Sequence, residues 1–148
     1  LGAAAGGDAG ATMTLDHLKH YGLTTLAFFA IDLGWLGVVA KGFYDKHLGS
    51  LLREDVVWTA AAGFYLLYIA GIVVFAILPA LEAGSVGRAI GLGAFFGLVA
   101  YATFDLTSMA LIRGFNWTVV GVDLVWGMVL TGSVATVGFY AGRWLGMG

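Results

Sequence analysis

The chain has no cysteine, a single proline and few charges: of its 148 residues only 11% are Asp, Glu, Lys or Arg. Without cysteine there are no disulfides, thiolate metal sites or thiol nucleophiles, and the redox compartment leaves no trace. Soluble domains carry about a quarter charged residues. A chain that is 60% apolar and 11% charged has too few charges to cover a water-facing surface, and it reads as an integral membrane protein. The formal net charge of −2 excludes the strongly basic profile of a nucleic-acid binder, so no nucleic acid is expected as a partner. No Walker loop, nucleophile elbow, HExxH motif or dinucleotide fingerprint occurs. Paired histidines are missing from the apolar stretches, which argues against haem or di-iron centres there. No cofactor is implied.

What is present is long apolar runs. A helix crossing a hydrocarbon core of roughly 30 Å needs about 20 residues. Four blocks meet that length: residues 21–40, 57–81, 89–112 and 117–141. The first, third and fourth each contain one formal charge, Asp32, Asp105 and Asp123, and the second contains none. Pro79 falls in the last turn of the second block, where a distorted exit is tolerable. The connections at 82–88 and 113–116 are short enough to force antiparallel neighbours. The expected fold is therefore all-α, a polytopic bundle of four up-and-down transmembrane helices in a single domain spanning residues 13–148. Residues 1–12, rich in Gly and Ala, read as a flexible extension ahead of Met13, which looks like a natural start.

The longest connection, residues 41–56, carries Tyr44, Leu48, Leu51, Leu52 and Val56 at helical spacing, with charges on the other faces. That pattern suits a short interfacial helix between the first and second spans; a plain extension of the first span fits it equally. Small residues recur four apart at Ala30 and Gly34, Gly87 and Gly91, Gly93 and Gly97, and Gly138 and Gly142, as helix packing in lipid favours. One such pair could instead mark an oligomer interface. Four spans put both termini on one side of the membrane. Lys19, Arg88 and Arg143 lie on that side and Lys41, Lys46, Arg53 and Arg113 on the other, a distribution too even to orient the chain. His17 and His20 stand three apart beside Asp16 and read as a solvated surface pair rather than a metal site. His47 is placed among headgroups.

The informative residues are the three intramembrane aspartates, each costing roughly 2.5–3.5 kcal/mol at a span centre. Counting from the nearest span end, Asp32 lies about 13 Å deep, Asp105 about 12 Å and Asp123 about 9 Å, all measured from the same side. Three helices thus place a carboxyl in one layer. Tyr101 and Ser108 share a helix face with Asp105 and would supply hydrogen bonds. Tyr65, about 11 Å below Trp58, enters the same layer. A polar core of Asp32, Tyr65, Tyr101, Asp105, Ser108 and Asp123 follows, lidded by Trp35 and Trp126, each three residues after an aspartate. The segments Ile31-Asp-Leu-Gly-Trp35 and Val122-Asp-Leu-Val-Trp126 also hint at an inverted relationship between the first and fourth spans. With no base at this depth, three close carboxylates cannot all stay ionised. They would share protons, hold a hard cation such as calcium, magnesium or manganese, or act as polar glue between helices.

At these residues the chain resembles a family of small bacterial membrane proteins known as domain of unknown function family 2177. The resemblance runs from about Thr24 to Gly142. It rests on Asp32-Leu-Gly-Trp35-Leu-Gly, Phe43-Tyr44 with Leu48-Gly49, Phe64-Tyr65-Leu-Leu-Tyr68, and Phe75 to Leu81 around Pro79. It continues through Gly97-Leu-Val-Ala-Tyr101-Ala-Thr-Phe104-Asp105-Leu-Thr107 and ends at Asp123 with Trp126-Gly127. The family often has Tyr and Asn where Phe104 and Ser108 stand here. The resemblance implies a four-span protein of the bacterial inner membrane and brings no substrate, cofactor or catalytic residue. Three functions are then open. An accessory or structural subunit of a larger membrane complex demands least and leads, with membrane lipids and protein partners, or a second copy, around it. A small proton- or cation-coupled carrier using the aspartates is the first alternative, and a lipid-modifying enzyme the second.

Overall fold

The computed structural model describes the backbone of residues 5–148 and the side chains of residues 14–148. Residues 1–4 of the expected extension lie outside the described residues, and the backbone of 5–12 already belongs to the first helix. The chain is all helical. α1 (Ala5–Trp35) passes through a π turn (Leu36–Ala40) into α2 (Lys41–Leu48); α3 (Trp58–Ile72) passes through a second π turn (Val73–Ile77) into α4 (Leu78–Ala83); α5 (Val86–Leu111) and α6 (Trp117–Trp144) follow. Among the described residues, four stretches are long and apolar enough to cross a membrane: Thr14–Leu48, Trp58–Ala83, Val86–Leu111 and Trp117–Trp144. Lipid offers backbone groups no hydrogen bonds, so apolar stretches of this length close their own as helices.

The ends of these helices are set by particular residues. Gly84 adopts φ 62° and closes α4, a left-handed conformation that costs glycine nothing. Ser85 caps α5 by accepting from the Arg88 N–H at 3.2 Å, and Asn116 caps α6 by accepting from the Val119 N–H at 3.1 Å. Pro79 explains the π turn before it. A proline has no N–H to offer the carbonyl four residues back and its ring crowds that carbonyl, here Phe75. Widening the turn at Val73–Ile77 keeps the helix running through the conflict.

The separate interfacial helix does not form. Residues 36–40 hold no proline, Gly37 stays within the helix, and Trp35, Ala40 and Lys41 keep right-handed helical dihedrals. The first span therefore continues as one rod to Leu48, which accepts from the N–H groups of Leu51 and Leu52 in a closing turn at 2.7 and 3.1 Å. Leu51, Leu52 and Val56 are exposed rather than aligned on a helix face.

The main core runs through the middle of the bundle, where Phe28, Tyr68, Ile69, Ile72, Ile77, Leu130 and Phe139 are buried. α5 and α6 form the most extensive helix pair. They approach closely at Gly93, Gly97 and Gly127, where a methyl group would run into the opposing backbone. Gly138 and Gly142 instead make room on α6 for the side chains of Ile77, Leu81, Thr24 and His20. The other two small-residue pairs have no such role: nothing lies within 4 Å of a Cβ at Gly34 or Gly91, and at Gly87 it would meet the helix's own cap Ser85. A second, smaller cluster of Leu48, Phe115, Val119 and Val120 ties α2 to the turn between α5 and α6. There the Asn116 side chain donates to the carbonyl of His47 at 3.4 Å.

Candidate functional site: an acid pair and its aromatic frame

α5 and α6 bring Asp105 and Asp123 together. Asp105 is wholly buried. Neither of its carboxyl oxygens has a hydrogen-bond donor. The polar group it meets is the carboxyl of Asp123. Two ionised carboxylates are both acceptors and cannot hydrogen-bond to each other, so Asp123 does not supply the donor that Asp105 is missing. Asp123 itself accepts from the hydroxyl of Tyr44, and Tyr44 is in turn held by the Trp35 side chain.

Asp32 stands apart from this pair, held by its own donors. It accepts from the Tyr65 hydroxyl at 3.5 Å and from the Trp126 side chain. Trp35 and Trp126 stack face to face, ring centroids 4.3 Å apart and planes 9° from parallel. They form a bridge between the two acid positions, each indole serving the side of the site that belongs to the other helix. Tyr101 is half-buried within electrostatic reach of both Asp32 and Asp123. Among the described residues, no lysine, arginine or histidine is a partner of Asp32 or Asp105.

Several expectations are corrected here. The hydrogen bonds anticipated from Tyr101 and Ser108 to Asp105 do not form, since both Asp105 oxygens are without a donor. Ser108 is buried one turn on, and its carbonyl accepts from the Ile112 N–H at 2.8 Å where α5 ends. The three aspartates form a pair and a separate single residue rather than a triad. Among the described residues, no group of three or more His, Asp or Glu side chains could hold a metal ion. His20 is buried rather than solvated. Its Nε2 lies 2.7 Å from the Gly138 carbonyl, and Thr24 donates to the His20 carbonyl at 2.8 Å. The i, i+4 step from His20 to Thr24 puts both on the face that α6 covers. His17 is exposed. His47 is half-buried, its ring 4.6 Å from that of Phe43.

Tyr44 is the member that periodicity misses. On an unbroken α-helix twelve residues separate it from Asp32 by about 120° around the axis. A π turn takes up one extra residue, reducing the offset to about 20° and swinging Tyr44 onto the inner face. The π turn at Leu36–Ala40 thus aims the hydroxyl that Asp123 accepts. Thr131 was likewise without a signal; its hydroxyl pairs with that of Tyr68 at 2.7 Å in the adjoining core.

No curated protein and no solved structure matches the chain. The family described as "Predicted membrane protein (DUF2177)" matches residues 17–140. With four membrane-spanning helices and a match across most of its length, the chain belongs to this family of membrane proteins.

Proposed function

We propose that the protein is a small proton-coupled carrier of the bacterial inner membrane, with Asp105 and Asp123 as its proton-binding element. The observation that supports this reading is the Asp105 carboxyl, fully buried and without a donor against a second carboxyl. A carboxylate kept to lock helices together is satisfied by donors, as Asp32 is by Tyr65 and Trp126. An unsatisfied one in hydrocarbon is costly, and a proton held between two acids relieves both. Once that proton leaves, two like charges face each other with no base in reach. The pair therefore exchanges its proton only when positive charge arrives or when the helices part and admit water. That condition is what couples a proton to another movement. Tyr44 positions Asp123, and Trp35 positions Tyr44.

In this reading both termini share one face of the membrane, and lipids cover the exposed Leu, Val and Phe side chains of the spans. The test uses the full chain in proteoliposomes with a trapped pH indicator, alongside infrared spectra of the protonated carboxyl band. Asp105→Asn and Asp123→Asn should each abolish proton exchange and remove the band, whereas Asp32→Asn keeps both. Wild-type exchange in the first two variants would overturn the proposal. Co-purification of those variants with an intact membrane complex would then favour the accessory-subunit role.

A further inference from the structure

A lateral cleft leads to the acid pair from the lipid side. Phe64 and Tyr68 of α3 face Ala100, Tyr101 and Phe104 of α5 across a space of about 390 Å³, and Asp123 of α6 completes the lining. Phe64 and Phe104 are largely exposed, so the mouth opens sideways toward the hydrocarbon. The walls are aromatic: the Phe64 and Tyr68 rings stack at 5.3 Å, and Tyr68 meets Tyr101 edge-on at 6.4 Å. Tyr68 turns its hydroxyl to Thr131, away from any free polar role. Asp123 is the lone charged residue of the lining, and its carboxyl adjoins the unsatisfied Asp105.

We infer that this cleft binds a hydrophobic organic cation, an amine or onium ion with an apolar body, which enters from the bilayer and sets its charge beside Asp123. This inference rests on the proton-binding reading and names the class of molecule coupled to it. Three features select that class. Aromatic faces attract a weakly hydrated cation through their negative π surfaces. A carboxylate with no basic partner supplies the opposite charge. The volume falls within the range of about 300–1,000 Å³ usual for small-molecule sites. A neutral lipid chain would fill the walls but leave the acid uncompensated, and an anion would be repelled by it. The cation's arrival provides the positive charge that allows the pair to release its proton to water. Its departure requires that a proton return. The one bond that breaks and re-forms is the carboxyl O–H, whose electron pair stays on the carboxylate while water takes the proton.

The probe is tetraphenylphosphonium, compared with tetraphenylborate, an anion of nearly the same shape. Equilibrium binding is measured on the purified full chain in mild detergent. Saturable binding of the phosphonium at one per chain is expected, at least about tenfold tighter than the borate, the scale of one charge-assisted contact. Ala100→Phe fills the cleft and Phe104→Ala removes one wall ring from its lipid-facing side. Both should weaken phosphonium binding while the protonated-carboxyl band of the acid pair persists. Equal binding of phosphonium and borate overturns the inference, as does unchanged phosphonium binding in both variants. Loss of the infrared band's dependence on Asp105, with selective binding retained, would instead sink the proton-binding reading and leave the cation site standing.

Discussion

Replacing Gly97 by alanine tests the helix pair that holds the acids together. A Cβ there would sit 2.7 Å from the carbonyl carbon of Gly127 and 2.7 Å from Thr131 Oγ1, with the Gly127 oxygen closer still. Ordinary contact begins at 3.4 Å, so α6 must retreat from α5 by more than an ångström to clear the Gly127 oxygen, roughly twice what its carbonyl carbon alone would ask, and that obstruction is backbone that no rotamer change can clear. Overpacking of this kind costs roughly 1–3 kcal/mol, about 5- to 150-fold in the folding equilibrium. Because α5 carries Asp105 and α6 carries Asp123, the same displacement loosens the carboxyl contact. Unfolding in mixed detergent micelles measures the first effect, and the protonated-carboxyl infrared band the second. Gly91→Ala is the control: nothing lies within 4 Å of its Cβ, and glycine-to-alanine in a helix interior is neutral or gains about 0.5–1 kcal/mol. If Gly97→Ala and Gly91→Ala unfold alike, the glycine-mediated approach of α5 and α6 is refuted.

Two further perturbations probe the frame around Asp123. Tyr44→Phe deletes the hydroxyl that Asp123 accepts and should cost about 1–3 kcal/mol, a loss that disappears in an Asp123→Ala background, which has no acceptor, when the double-mutant cycle is measured by unfolding. Deleting Val38, which is exposed within the π turn, removes the extra residue and leaves Tyr44 in register, so stability and the carboxyl band should survive. Deleting Val99 in regular α5 turns Asp105 by about 100° and should abolish both.

Most of the fold was legible because membrane insertion is governed by length and polarity, which a sequence states directly. The four spans, the short turns after Ala83 and Leu111, and the placement of the three acids in separate helices all follow from counting. Small-residue spacing was a weaker guide. Gly93–Gly97 and Gly138–Gly142 are buried contacts, while Gly34, Gly87 and Gly91 are open, because a four-residue repeat fixes a face without saying which neighbour covers it. The burial of His20 was hidden for a related reason. Its polar flanks suggested the surface, yet α6 presents the Gly138 carbonyl to it across a contact that glycine leaves open.

The candidate site was legible in its residues but not in its pairings, and the π turn shows why. An aspartate and a tryptophan three residues apart lie on one face of a helix, so Asp32 and Trp35 on α1 and Asp123 and Trp126 on α6 could each have formed a closed local pair. The antiparallel packing of α1 and α6 instead stacks the two indoles on each other. Trp126 is thereby left to serve Asp32, and Trp35 to serve Tyr44 and, through it, Asp123. That exchange requires Tyr44 to face inward, which a uniform 3.6-residue period denies and one extra residue at 36–40 permits. Periodicity finds which residues share a helix; a single-residue change of phase decides which helix they act upon. The unsatisfied Asp105 is a product of the same exchange. Tyr44 is given to Asp123 and Tyr65 and Trp126 to Asp32, so in the proton-binding reading the proton for Asp105 comes from its partner acid or from outside the protein.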